Sequence, residues 1–243
     1  LTLKVDPYGN VLEQVAIGYG RRIRDGALPT DQDRDQQSLT HITYTDNHVT
    51  NAIDDAARPD DYRAPLPAES TTYELRKWVQ DKVDARARSQ SFGFDAVGRY
   101  LLQAGDGEHN IAYEDIDFSA AGAIVFADPA KVKDYFRRPI EHLRTLYRPD
   151  DCGASKGDAD ALLTLKTLEP LALPGESYKL TFTPGLLDHV FQRPRQAQTP
   201  EPLLPDHAAV LSGQAGNRGG YLLSQALKAD GRFPTSDADD HWW

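Results

Sequence analysis

No disulfide holds this chain together: it has one cysteine, Cys152, and an internal bridge needs two. The same shortage removes the usual thiolate zinc sites, and it leaves the redox compartment open. The seven histidines, at 41, 48, 109, 142, 189, 207 and 241, form no H-x-x-x-H or H-E-x-x-H unit. Their spacing therefore points to no metal, and no cofactor is expected. No apolar run approaches the ~20 residues of a membrane-spanning helix. Basic charge is scarce too, with 27 Lys and Arg against 37 Asp and Glu and a net charge of −10. Basic residues gather only in pairs such as Arg21-Arg22 and Arg137-Arg138. That excludes the continuous basic surface on which nucleic acid or an anionic membrane is held. Methionine is absent, Leu1 comes first and Trp242-Trp243 come last, so the chain reads as a piece of a longer protein.

What is present is ample apolar material, 40% of 243 residues, punctuated by 18 glycines and 16 prolines. This suffices for a real core in a single fragment over 1–243, with a loose subdivision near 150–160. The opening predicts a β-hairpin: Leu3 and Val5 alternate with polar residues, Pro7-Tyr8-Gly9-Asn10 turns, and Val11, Glu13, Val15 and Ile17 resume the period of two. Arg21–Ser38 reads as an exposed polar loop. Thr40–Thr45 and Val49–Ile53 read as strands joined by a turn at Asp46-Asn47. The three prolines of Arg58–Pro67 predict an extended connector.

Ser70–Ala87 is ambiguous, since Leu75, Trp78, Val79 and Val83 share a helical face whereas Thr71-Thr72-Tyr73 is good strand sequence. Phe92–Gln103 is a second apolar segment, followed by a loop at Gly105–Asn110. Ile111/Tyr113 and Ile116/Phe118 suggest a bulged strand, and Val132–Phe136 a short helix ended by Pro139. Ile140–Tyr147 fits helix or strand. Beyond the leucine-rich Ala161–Leu173, a strand is expected over Ser177–Thr183 and a helical turn over Pro184–Phe191. A loop over Gln192–Asp206 and a short strand over Gly219–Leu223 complete the reading. The fold class is mainly β, many short strands and hairpins with a few short helices.

Few residues suggest chemistry. Gly153-Ala154-Ser155-Lys156-Gly157 fits the G-x-S-x-G nucleophile elbow, with His189, Asp206 and His207 downstream. That motif needs an apolar strand running straight into the turn, and Arg148-Pro149-Asp150-Asp151-Cys152 is polar and proline-broken. Asp31, Asp33 and Asp35 resemble half a calcium loop, but the required glycine and glutamate positions hold Gln36 and Ile42. Asp237, Asp239, Asp240 and His241 pose the same question and get the same answer, a solvated acidic stretch. The glycine-rich Ser212–Gly220 matches neither phosphate-binding fingerprint. No catalytic, cofactor-binding or metal-ligating residue is expected.

Several blocks together resemble one family. Val5–Leu12 (VDPYGNVL) is similar to the Tyr-Asp, or Rhs, hairpin repeat. It runs into Val15–Arg22 (VAIGYGRR), which resembles a phrase in the B component of bacterial Tc insecticidal toxin complexes. The likeness continues through Tyr44–Asp54, Tyr62–Ser70, Pro139–Arg148, Leu168–Pro174, Glu176–Leu187 and Asp239–Trp243, in family order. It points to the middle/C-terminal region that precedes the Rhs repeats. Arg76-Lys77-Trp78 and the Cys152–Asp160 loop depart from the family pattern.

The resemblance implies a structural rather than catalytic role. B and C components together form a hollow β-sheet shell around the cytotoxic C-terminal part of the C component. A pentameric A component, the pore-forming injector, docks elsewhere on the B component. The resemblance also implies a secreted or released toxin complex, and strands at Thr72–Leu75 and Ile140–Tyr147. A lumen face that is mixed or acidic would avoid gripping an unfolded cargo. Two other readings are a serine hydrolase using Ser155 and a β-rich carbohydrate- or receptor-binding module displaying Trp78, Trp242 and Trp243.

Overall fold

The computed structural model describes residues 1–37, 41–77, 110–114, 135–193, 201–213 and 219–243. Trp78–Ala87, Phe92–Gln103, the loop at 105–109, Ile116/Phe118, 132–134 and the middle of the glycine-rich stretch, 214–218, lie outside the described residues. Eight strands are described: β1 (Thr2–Val5), β2 (Val11–Gly18), β3 (His41–Val49), β4 (Pro67–Lys77), β5 (Tyr135–Tyr147), β6 (Pro174–Lys179), β7 (Gln192–Arg193) and β8 (Glu201–Pro202). The first six form one antiparallel sheet in chain order, and β7 and β8 pair separately. The described helices are short: α1 (Asp31–Gln36), α2 (His207–Ser212) and α3 (Ser224–Ala229). The mainly β class is as expected.

The β1–β2 turn shows why the opening hairpin forms. Asp6 Oδ1 accepts the N–H groups of Tyr8 at 2.9 Å and Asn10 at 2.8 Å, and Gly9 adopts φ +89°, a left-handed conformation that suits glycine. The side-chain hydrogen bond from Asn10 and backbone hydrogen bonds from Asn10, Tyr8 and Gly9 hold the Asp6 carboxyl below its ordinary range, against the opposing effect of desolvation.

The chain divides into two compact units. Unit 1 comprises Leu1–Lys4, Glu13–Asp46 and Thr72–Ile140. Its β2–β3 register sets Val15 opposite Tyr44 and Ile17 opposite Ile42. With side chains alternating at period two, these residues line one face. Val15, Ile42, Tyr44 and Leu75 are buried there, with Leu3, Ile17 and Tyr73 packed against them. Tyr44 and Tyr73 stack with centroids 6.0 Å apart. Burial, helped by the nearby Asp46 and Glu13 carboxylates, raises the Tyr44 phenol well above its ordinary pKa.

Two local expectations fail in unit 1. The polar stretch after Gly20 contains α1: Thr30 Oγ1 accepts the Asp33 N–H at 3.1 Å and donates to its carboxylate at 2.6 Å, an N-cap that starts a helix without any apolar stripe. Residues 111–114 form no strand. The Ile111 N–H instead donates to the Arg137 carbonyl at 2.9 Å, beside a single parallel bridge between Asn110 and Arg137.

Unit 2 comprises Val5–Leu12, Asn47–Thr71 and Glu141–Trp243. The turn expected at Asp46-Asn47 is absent, because β3 runs through it as one strand. Asn47 spends its amide on the neighbouring strand, Nδ2 donating to the Val11 carbonyl at 3.0 Å, rather than on a local turn. Val49–Ile53 is accordingly the end of β3 followed by irregular chain.

The described parts of the ambiguous segments resolve as strands. Thr72–Leu75 lies in β4 and Ile140–Tyr147 in β5. The helix expected over Val132–Phe136 fails in its described part, since β5 begins at Tyr135 and continues through Pro139. Arg58–Pro67 is extended apart from one 3-10 turn at Pro59–Asp61, where proline fits the first helical position.

The leucine-rich loop, without regular structure, is anchored by Asn51. Its N–H donates to Lys166 O at 3.1 Å, its Oδ1 accepts Leu168 N–H at 2.7 Å and its Nδ2 donates to Leu168 O at 3.2 Å. Within β5–β6, Arg144 lies opposite Tyr178, and the register shifts between Thr145 and Tyr147. Close packing there requires Gly175, where a Cβ would stand 2.4 Å from Leu146 O.

The expected strand Ser177–Thr183 is β6 to Lys179 and then an isolated bridge from Phe182 to Trp242. Pro184–Phe191 is helical as expected, largely a π-turn at Leu186–Val190. Gly219–Leu223 is no strand; one bridge joins Leu223 to Trp242. Gln192–Asp206 includes the two residue pairs of β7–β8. A second apolar core, Leu187, Leu211 and Trp242, gathers Phe182, Leu204, Tyr221 and Leu223.

Candidate functional site

The most unusual chemistry among the described residues sits on β5, where the expected polarity is inverted. Leu143 is 38% exposed while Arg144 is 4% exposed. A buried guanidinium needs its charge and donors matched, because desolvating an unpaired ion costs several kcal/mol, roughly. Two carboxylates of unit 2, Glu69 and Asp237, meet that need.

Glu69, on β4, accepts from Arg144 Nε at 2.8 Å and meets His142 Nε2 at 2.9 Å through the same oxygen, Oε1. Its other oxygen faces Lys166 Nζ at 2.8 Å. The two Arg144 Nη groups engage the Asp237 carboxylate as a fork, Nη2 at 3.3 Å from Oδ1 and Nη1 closer still to Oδ2. Bidentate pairing of this kind fixes direction as well as charge. Lys166 reaches Glu69 from a left-handed backbone, φ +70°, a conformation that is costly for a non-glycine residue.

Aromatic rings roof the cluster. The Arg144 guanidinium lies 4.4 Å from the Phe233 ring centroid and 4.9 Å from that of Trp243. Cation–π attraction is strongest where, as here, the cation has lost its water. Trp243 meets His142 edge-on at 4.9 Å and Phe233 at 4.8 Å. Its indole N–H donates to Ser224 Oγ at 2.8 Å. Tyr178 meets Phe233 edge-on at 5.2 Å and donates to Glu176, while Arg232 donates to the Tyr178 hydroxyl at 2.7 Å and to Glu176 at 3.0 Å.

The electrostatics hold Glu69 and Tyr178 each in one charge state. Burial by itself would raise the Glu69 carboxyl, but hydrogen bonds from His142, Lys166 and Arg144, with the Arg144 charge, outweigh it and hold the group far below the ordinary carboxylate range. A general acid or base works best with its pKa near the working pH. Burial and the bond to Glu176 push the Tyr178 phenol up to about 12, so it too stays in one state near neutrality.

The residues singled out by motif go elsewhere. Ser155 is exposed on a 3-10 turn, Ala154–Lys156, between left-handed Gly153 and Gly157. Asp151 shapes that turn by accepting the N–H groups of Gly153 at 2.8 Å and Ser155 at 2.9 Å. No strand drives into it. His189 is exposed in the π-turn, His207 starts α2, and Asp206 caps that helix by accepting the Ala209 N–H at 3.1 Å.

Of the acidic triplets, Asp31 pairs with Arg34, Asp33 with the Thr30 cap and Asp35 with Arg24. Asp237 and Asp239 divide between Arg144 and Lys228. Among the described residues, no group of three or more His, Cys, Asp and Glu is arranged to hold a metal. Trp242 and Trp243, taken as surface aromatics for a binding module, are buried at 6% and 7% exposure. Their rings are core, which removes that motive; Trp78 lies outside the described residues.

Sequence reasoning missed the cluster because its members are far apart in the chain. Glu69 and Arg144 are separated by 75 positions, and Arg144 and Asp237 by 93. Ile140–Tyr147 fitted helix or strand, so the sequence did not say which of Leu143 and Arg144 is buried.

Residues 1–59 match the family model described as the insecticide toxin TcdB middle/C-terminal region. This match, over 59 of 243 residues, supports the resemblance to a Tc toxin component. No curated protein matches the chain. No described helix is long and apolar enough to cross a membrane.

Proposed function

We propose that this chain is a non-enzymatic wall segment of a Tc toxin B component. In this reading it helps form the hollow shell that the B component builds with the C component, enclosing a cytotoxic effector until delivery through the A-component pore. The match of residues 1–59 to the toxin middle/C-terminal family carries the reading. The structure is consistent with it: a six-stranded sheet braced by an ion cluster whose Glu69 and Arg144 satisfy one another suits a load-carrying panel better than a reaction centre. The partners are the C component and, through other parts of the B component, the A component. The complex acts after secretion or release.

The test is protease protection of the cargo in assembled B–C particles, with this segment intact or disrupted by Tyr178→Asp plus Phe182→Asp. Cargo digested only in the disrupted particles, with assembly preserved, is the expected result. Cargo equally protected in both, once local loss of structure is verified, overturns the wall reading. A Ser155→Ala chain assayed against activated esters checks the non-enzymatic half: any ester hydrolysis that this change abolishes contradicts it.

A further inference from the structure

Neither apolar core nor the ion cluster takes in the dibasic pair Arg21-Arg22. The pair sits in unit 1, in residues 19–30, which join β2 to α1 through turns and bends alone. That connection is pinned at three points. The Arg21 N–H donates to Gln37 O at 2.8 Å, and its guanidinium to Asp25 at 3.3 Å. Asp25 accepts the N–H groups of Ala27 at 3.0 Å and Leu28 at 3.3 Å, and Arg34 donates to Leu28 O at 2.7 Å. Between the pins Arg22, Ile23 and Arg24 are all exposed, Ile23 at 83%. Their backbone makes no hydrogen bond among the described residues. Arg24 is paired with Asp35, whereas no described residue pairs with Arg22.

An endoprotease takes its substrate extended over several residues, so it cuts where the backbone is exposed and not committed to a helix or strand. The ion pairs flanking this stretch, Arg21–Asp25 and Arg24–Asp35, have side chains at least 40% exposed. Pairs so exposed add little stability and give way at small cost. We propose that the Arg22–Ile23 bond is a processing site for an arginine-specific serine endoprotease. The Arg22 guanidinium enters the anionic specificity pocket of the protease, and Arg21 takes the preceding subsite. Hydrolysis breaks the bond between the Arg22 carbonyl carbon and the Ile23 nitrogen. Water supplies the hydroxyl that completes the Arg22 carboxyl and the hydrogen that completes the Ile23 amine. The nicked chain stays in one piece, because β2 and β3 remain paired from Glu13–Asp46 to Gly18–His41, with Val15 and Ile42 buried in the same core.

Trypsin is the probe, added at low ratio to the folded full chain, with products identified by mass spectrometry. A new amino terminus at Ile23 is expected, the two pieces co-eluting on gel filtration and separating only in denaturant. Arg22→Gln should slow this cut roughly 100-fold or more, since a pocket built for a polar group rejects an analogue that leaves it unpaired. Arg24→Gln should leave the cut in place. No cleavage after Arg22, cleavage after Arg24 in its stead, or separation of the pieces without denaturant overturns the inference. The cutting rate, normalised to a peptide substrate, should also be unchanged by urea below the unfolding transition. A rate that climbs with urea, as cleavage through global unfolding does, overturns it as well.

Discussion

In unit 1 the residue opposite Val15 is Tyr44; in unit 2 the residue opposite Tyr178 is Arg144. The first pair belongs to an apolar face, with Leu3, Ile17, Ile42, Tyr73 and Leu75, that excludes water. The second opens onto Glu69, His142, Lys166 and Asp237, roofed by Phe233 and Trp243. An apolar face tolerates exchanges of similar volume, because burial is non-directional. An ion cluster does not, because each member's solvation has been replaced by a particular partner in a particular direction. Unit 2 should therefore be the more brittle of the two toward single substitutions, and the more sensitive to acid.

The largest expected effect is Arg144→Met. Removing Arg144 takes the guanidinium from Asp237 and leaves Glu69 with His142 and Lys166 alone, and breaking a buried pair in this way costs about 3–5 kcal/mol. Chemical denaturation measures it, and a loss under about 1 kcal/mol would show that the cluster does little bracing. Next comes Leu75→Ala in unit 1, where a buried Leu truncation costs about 2–5 kcal/mol. Replacing Leu75 with Met should cost under about 1.5 kcal/mol, a tolerance that Arg144→Lys should not share, since an ammonium cannot form the fork to Asp237.

Acid sharpens the contrast. Folding holds the Glu69 carboxyl far below its ordinary value of 4.5, so as pH falls the unfolded chain takes up that proton first. The stabilisation from Glu69 is complete above about pH 4.5 and is lost progressively below it. Denaturation midpoints between pH 3 and 7 should fall with acid in the parent chain and depend less on pH in Glu69→Gln. Identical pH slopes would show that Glu69 is not linked to folding. The smallest effect is Trp243→Phe, which keeps a ring over Arg144 but removes the indole donor to Ser224. A net loss near 1 kcal/mol is expected by the same denaturation measurement, and a loss above about 3 kcal/mol would mean that the indole's volume, not its N–H, is what matters.

The candidate site was legible only in fragments. The resemblance implies a strand at Ile140–Tyr147, which carries His142 and Arg144, and Trp242 and Trp243 stand out in the sequence but read there as surface aromatics. Neither reading connects Arg144 to Glu69 or to Trp243, because no local pattern encodes a contact across 75 or more positions. Ser155 drew attention through a five-residue pattern, yet its turn is organised by the Asp151 carboxylate and two left-handed glycines.

Local chemistry was enough for what repeats at short range. Alternation and a Pro-Tyr-Gly-Asn turn specify the β1–β2 hairpin, since side chains two apart share a face whatever lies beyond. Strand against helix at Ser70–Lys77 and Ile140–Tyr147 needed sheet neighbours, because local pattern fits both there. Which face of β5 turns inward, and therefore that an arginine rather than a leucine is buried, was settled by the carboxylates and rings that converge on it. Burial of a charge is a property of the assembled partners, and those partners come together only when the chain folds.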